Sequence, residues 1–315
     1  MIQKLAKLKV NDSFDMPVLI NQMDLRVAKN GKKFLALVFS DNSGELPGKY
    51  WDASDEDAEN YKAGTIVELS GKCELYNGSL QVKIVSMTPT EPGTFSIDQF
   101  TQHGPMTKKE MMDRVSDLLF EITEPNWNRI VRFLLNRHKD TFFEFPAAKS
   151  NHHDFTGGLA FHTISIANLA TDVCKRYPQV NKPLLLAGAI LHDLGKTTEL
   201  SGPVGTEYTV EGNLLGHIVI SDEEIIEACD KLKLDPQQED IILLRHMIIS
   251  HHGLTEYGSP ERPQLLEAEI LHDLDELDAS INMITKAEKK TSAGQFTDRI
   301  FGLDNRRFYV PNQKE

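Results

Sequence analysis

The chain has 315 residues, 40% of them hydrophobic and 26% charged, and a formal net charge of −13 at pH 7. That length exceeds what one core usually holds, so two domains are expected, and the composition excludes a disordered chain. The acidic balance excludes a broad basic surface for duplex DNA, while a local groove or bound cations stay open.

The first hundred residues read as strands. Residues 17–40 alternate apolar and polar positions around Asn30-Gly31, and Asn77-Gly78 separates GTIVELSGKCELY from SLQVKIVSM. Asn-Gly at a reversal is a strong hairpin signal because both residues tolerate positive φ. Between the hairpins, residues 48–51 read as a short strand and 55–61 as a helical crossover. Five short strands and one helix are the inventory of an OB-fold, a small barrel that often binds single-stranded nucleic acid. An all-β domain over residues 1–95 is therefore expected, with single-stranded RNA or DNA as its partner. Arg26, Lys29, Lys32 and Lys33 sit near the first hairpin, and Phe34, Tyr50, Trp51 and Tyr76 are candidate stacking platforms. Core filling is the competing reading for each aromatic. Residues 96–106, rich in Gly, Ser, Thr and Pro, read as a linker.

The remainder, 107–315, differs in kind. All 11 histidines lie from His103 onward, and residues 1–100 have 11 Lys+Arg against 14 Asp+Glu and none. The period turns helical, with capping-box spacing at Thr107-Lys-Lys-Glu110. Helices are expected at about 107–123, 126–138, 157–176, 183–195, 213–232, 237–251 and 264–288, an all-α domain. No run approaches the roughly 20 apolar residues that span a bilayer, and the start carries no secretory h-region, so a cytoplasmic protein without a membrane partner is expected. Cys73, Cys174 and Cys229 read as reduced thiols.

Polar residues interrupt the apolar faces of these helices. His162 falls in the stripe Leu159, His162, Ile166, Leu169, Val173. His192-Asp193 ends the apolar run PLLLAGAIL, with Gly195 as its stop, and His217 opens another helix. His251-His252 closes RHMIIS, while Asp275 and Asp278 follow Leu271 on a stripe that runs on to Ile281. A lone buried histidine is usually a satisfied core residue. Five helices that each turn His or Asp inward need a common explanation, because a buried carboxylate is costly without a partner. A shared divalent metal centre supplies one, built from facing helices.

The order His162, His192-Asp193, His217, His251 and a late Asp275 resembles the HD-domain metal-dependent phosphohydrolases, in which His272-Asp273 would be a chance doublet. With the preceding barrel, HHDFTGGLAFHT, HDLGK, SHHGLTEYGSP and FGLDNRRFYVP, the whole chain resembles the YhaM-type 3′→5′ exoribonucleases. The resemblance implies an OB-fold followed by an HD domain, manganese or a similar transition ion, and degradation of RNA and single-stranded DNA. It implies His162, His192, Asp193, His217, His251 and Asp275 as ligands, with Asp278 behind them.

Six such ligands suit two ions, Asp193 bridging, with His162, His192 and Asp275 on one and His217 and His251 on the other. His252 is the ambiguous neighbour, a ligand or a substrate contact. Lys196 either contacts the scissile phosphate or serves a helix C-terminus. His152 and His153 are expected at substrate phosphate, with loop packing as the other reading. Arg306, Arg307, Phe308 and Tyr309 either clamp RNA or pack against a neighbouring subunit of an expected homo-oligomer. An HD hydrolase of small or cyclic nucleotides is the alternative activity.

Overall fold

A computed structural model of the chain describes residues 4–76, 78–101, 104–149, 153 and 155–312. It divides into two compact units: Met1–His103 with Gly202–Thr206, and Gly104–Ser201 with Glu207–Glu315.

The first unit is a closed barrel of five strands, β1 (Ser13–Val27), β2 (Lys33–Asp41), β3 (Gly44–Trp51), β4 (Ile66–Tyr76) and β5 (Ser79–Pro89), in the order β1-β2-β3-β5-β4. The long β1 pairs with β4 through its first half and with β2 through its second. A register shift between Ile20 and Gln22 lets one strand serve two neighbours. Closure comes from the parallel pair β3–β5 at Gly48↔Val82, where a side chain on Gly48 would strike the Phe39 ring. Inward positions alternate as Leu35, Leu37 and Phe39 on β2 and meet Val18, Ile20, Val67 and Leu69 in a dry core. The helix α1 (Asp55–Asn60) begins in a Ser54/Asp57 capping box. The reversal at Asn30-Gly31 is a five-residue loop with Gly31 at φ 80°. Gly78 has φ 82° between the paired Tyr76 and Ser79; its expected companion Asn77 lies outside the described residues.

The second unit is helical: α2 (Lys108–Glu121), α3 (Pro125–Arg137), α4 (Gly158–Arg176), α5 (Lys182–Leu191), α6 (Lys196–Glu199), α7 (Val210–Leu214), α8 (Gly216–Leu232), α9 (Glu239–Ser250) and α10 (Leu266–Glu288). The capping box at Thr107/Glu110 starts α2 as expected. Every residue from Leu184 to Leu191 is buried, so α5 forms the centre against which α4, α9 and α10 pack. Two expectations need correction. The apolar helix ends at Leu191 rather than at Gly195, and the chain turns at 192–195 before α6. Ile281, placed on the buried stripe of α10, is exposed. No helix of the described residues is long and apolar enough to cross a membrane.

Candidate metal centre

Helix ends build the polar cluster. His192 is the C-cap of α5 and His251 the C-cap of α9; His217 is the second residue of α8. His162 lies in the second turn of α4, and Asp275 and Asp278 are one turn apart on α10. The four rings converge on Asp193, which is 2% exposed. Its Oδ2 is 3.6 Å from His162 Nε2 and 3.4 Å from His192 Nε2. Its Oδ1 is 3.4 Å from His217 Nε2 and 3.8 Å from His251 Nε2. Asp275 Oδ1 is 3.1 Å from His162 Nε2. Among the described residues, His192 Nε2, His217 Nε2, His251 Nε2 and Asp193 Oδ1 are buried without a hydrogen-bond partner. Four orphaned polar atoms facing one another are costly unless something joins them.

The other ring nitrogens are all taken. His192 Nδ1 donates to Ala189 O at 2.8 Å and His251 Nδ1 to Ile248 O at 2.7 Å. These carbonyls belong to the last helical turn, where no amide of the helix follows to claim them. His217 Nδ1 donates to Glu199 Oε1 at 3.0 Å, and His162 Nδ1 to Asp278 Oδ2 at 2.7 Å. An acceptor on Nδ1 fixes the tautomer, so in each neutral ring the Nε2 lone pair points inward, the arrangement of metal-ligating histidines.

Charge is distributed to match. Burial pushes His251 well below the ordinary imidazole value, and His252 and His192 add to this, so His251 is neutral. Burial alone would depress His162, but its hydrogen bonds to Asp275 and Asp278 outweigh it and raise its pKa to about 9, so a cation taken up at its Nε2 would displace a proton. Burial opposes ionisation of Asp193 and Asp275; the Lys196 ammonium and the His192 ring beside the first, and the His162 ring beside the second, hold both carboxyls well below the usual range. One buried and one partly buried anion among imidazoles, with no thiolate, suit a divalent transition ion. His162, His192 and Asp193 each offer an atom within 4.8 Å of the others, as do His217, His251 and His252.

Comparison with known proteins places both units. The HD domain model matches residues 159–280, and the model described as an OB-fold nucleic acid binding domain matches residues 20–90. Over 304 residues the chain is 45% identical to the 3′-5′ exoribonuclease YhaM of Bacillus subtilis, which covers 96% of each chain. The YhaM of Bacillus licheniformis is 46% identical over the same length, again covering 96% of each. The chain belongs to the YhaM family. An HD domain implies a divalent metal, and the donors just described fit one.

Within this YhaM family member, the other expected site residues are placed as follows. Lys196 is the first residue of the four-residue α6, and its largely buried Nζ is 2.7 Å from Asp193 Oδ2. Burial would lower its pKa, but Asp193 raises it, so it stays charged. His153 is 4% exposed and its Nε2 donates to Asp278 Oδ2 at 2.7 Å. That carboxylate thus holds two imidazoles, and the ring expected at substrate phosphate sits behind the cluster. His152 lies outside the described residues. His252 packs against the cluster, tilted 5.1 Å from the His217 ring and edge-on 4.5 Å from that of His251.

On the barrel, Arg26 pairs with Asp24 and Lys33 with Asp55, both on the surface. Trp51 is 57% exposed, with the Phe34 ring 4.8 Å away, and Lys49 lies over both Trp51 and Tyr76. Tyr50 packs against the core instead. Arg306 and Arg307 donate to Leu303 O and Thr297 O, inside the C-terminal segment. Sequence reasoning missed Lys49, Glu199 and the Ala189 and Ile248 carbonyls. The signal for the carbonyls was a histidine immediately after each helix end.

Proposed function

We propose that this chain is a 3′→5′ exonuclease that hydrolyses single-stranded RNA, and single-stranded DNA, to nucleoside 5′-monophosphates at a two-cation site in the cytoplasm. The observation that carries the reading is the division of Asp193, one oxygen toward His162 and His192 and the other toward His217 and His251. Asp193 would bridge two ions. His162, His192 and Asp275 would hold one, and His217 and His251, with His252 beside them, the other. The imidazole-rich set favours Mn²⁺ over the oxygen-preferring Mg²⁺. The chemistry such cations supply is activation of water for attack on phosphorus and neutralisation of the leaving 3′-oxygen.

The chain's own residues prepare that chemistry. Asp278, Glu199 and two helix-end carbonyls hold the rings so that no ligand reorients on binding. Lys196, kept charged by Asp193, offers a buried ammonium to a phosphate oxygen. Breaking the P–O3′ bond leaves the phosphate on the 5′ carbon of the released nucleoside. Trp51, Phe34 and Lys49 supply a stacking and cationic surface for the strand, and Arg26 and Lys33 flank it. The YhaM relatives, named as 3′-5′ exoribonucleases, support the direction. A homo-oligomer belongs to the same proposal, and sedimentation of the purified chain tests it directly.

The deciding experiment uses chelated, dialysed protein and an oligoribonucleotide. Activity should be absent in EDTA and return with Mn²⁺ more fully than with Mg²⁺. A 5′ label should then pass through a ladder of shorter strands, and a 3′ label should leave at once as mononucleotide. Full activity in excess EDTA would remove the metal reading. A 5′ label released first as mononucleotide would reverse the polarity.

A further inference from the structure

One histidine of the helical unit stands next to the ligand set without belonging to it. His272 lies on α10 one turn before Asp275, so the two share a face of the helix. Its Nδ1 is 3.0 Å from the carbonyl oxygen of His251. A carbonyl accepts, so Nδ1 carries the proton and donates. The ring also fills the space beside Gly253, where an added Cβ would lie 2.4 Å from His272 Cε1 and Nε2. Gly253 has φ 73°, so the turn that ends α9 demands glycine for its backbone and again for the His272 ring.

That turn carries His251 and His252. It is held internally by Gly253 N–H to Ser250 O and Leu254 N–H to His252 O, both 2.8 Å, and by His252 N–H to Ser259 Oγ at 3.0 Å. The His272 bond differs in kind, because it ties the turn to another helix, the one that supplies Asp275. We propose that His272 is a positioning residue. It fixes the α9 turn against α10 and so sets where His251 Nε2 stands relative to Asp275 and Asp193. This inference rests on the metal-centre reading above.

Two variants of the full chain separate the bond from the packing. His272→Asn keeps a donor on the γ-carbon and discards the rest of the ring; His272→Phe keeps the ring and has no donor. By titration calorimetry, His272→Phe should bind Mn²⁺ about tenfold more weakly, or worse, and His272→Asn within roughly threefold of wild type. In excess chelator, amide exchange at residues 251–254 should accelerate in His272→Phe and stay unchanged in His272→Asn. Wild-type Mn²⁺ affinity in His272→Phe overturns the proposal. A weakened His272→Asn beside an intact His272→Phe also overturns it, since packing would then be the ring's whole role. If the wild-type chain takes up no divalent cation, the metal-centre reading fails instead. The exchange result then still decides the tether: acceleration confined to His272→Phe upholds it, and no change overturns it.

Discussion

The barrel and the helical unit each bury a carboxylate, and they treat it in opposite ways. In the barrel, Asp41 is 5% exposed at the end of β2. Its Oδ1 accepts the backbone N–H groups of Ser43 and Gly44, and its Oδ2 accepts that of Leu5 at 3.0 Å. Every partner is backbone or a local hydroxyl, so the charge is spent on holding a turn. In the helical unit, Asp193 has an oxygen with no hydrogen-bond partner, surrounded by imidazole nitrogens in the same condition. Burial is common to both; satisfaction is not. A buried acid whose oxygens are taken by backbone amides is architecture, and one whose oxygens face orphaned ring nitrogens is a site.

The difference can be broken first at Asp193. Asp193→Asn should lower kcat/KM on the order of 10³-fold or more, the scale of losing a member of a catalytic set. It should also destabilise the chain by about 3–5 kcal/mol, because the buried Lys196 ammonium loses its partner. Steady-state kinetics and a melting curve measure the two separately; activity within tenfold of wild type at saturating Mn²⁺ would remove Asp193 from the centre. Next, Asp278→Asn should weaken Mn²⁺ binding by about 10–100-fold, since it loosens the hold on His162 and His153 together. An unchanged isotherm would reduce Asp278 to packing.

On the barrel, Trp51→Ala should raise KM for a 20-mer by roughly 5–150-fold, the worth of one stacked base, and leave a dinucleotide unaffected. Equal losses on both substrates would mean that the barrel serves the active site indirectly. Asp41→Ala should cost on the order of 3 kcal/mol of stability and leave Mn²⁺ affinity untouched, because only three backbone amides and the Ser43 hydroxyl lose their acceptor. The smallest effect is expected at the start of α2. Thr107→Ala should lower the melting temperature by roughly 2–4 °C. The backbone N–H of Thr107 first, and its hydroxyl second, hold the Glu110 carboxyl below its ordinary value, and Thr107→Ala removes only the hydroxyl's share. That contribution is therefore present above the unfolded value of about 4.3 and disappears as pH falls through the lower folded one. A melting difference between wild type and Thr107→Ala that persists unchanged at pH 2 would contradict it.

Periodicity by itself determined much of this protein. Alternation around Asn-Gly turns specified the strands, and the 3.6-residue stripe placed His162, Asp275 and Asp278 on inward faces, because side-chain direction follows from backbone period. What lay beyond it were the contacts made across the chain. No local rule sends Glu199 to His217, or His153 to Asp278. Reading α5 on to Gly195 hid the turn that lets His192 find the Ala189 carbonyl. His272 read as a chance neighbour of Asp273, yet the packing of α10 on the end of α9 makes it a partner of His251. A helix face is set by the residues of one segment, whereas the partner of a ring nitrogen is set by which segments the core brings together. Only the tertiary structure decides that.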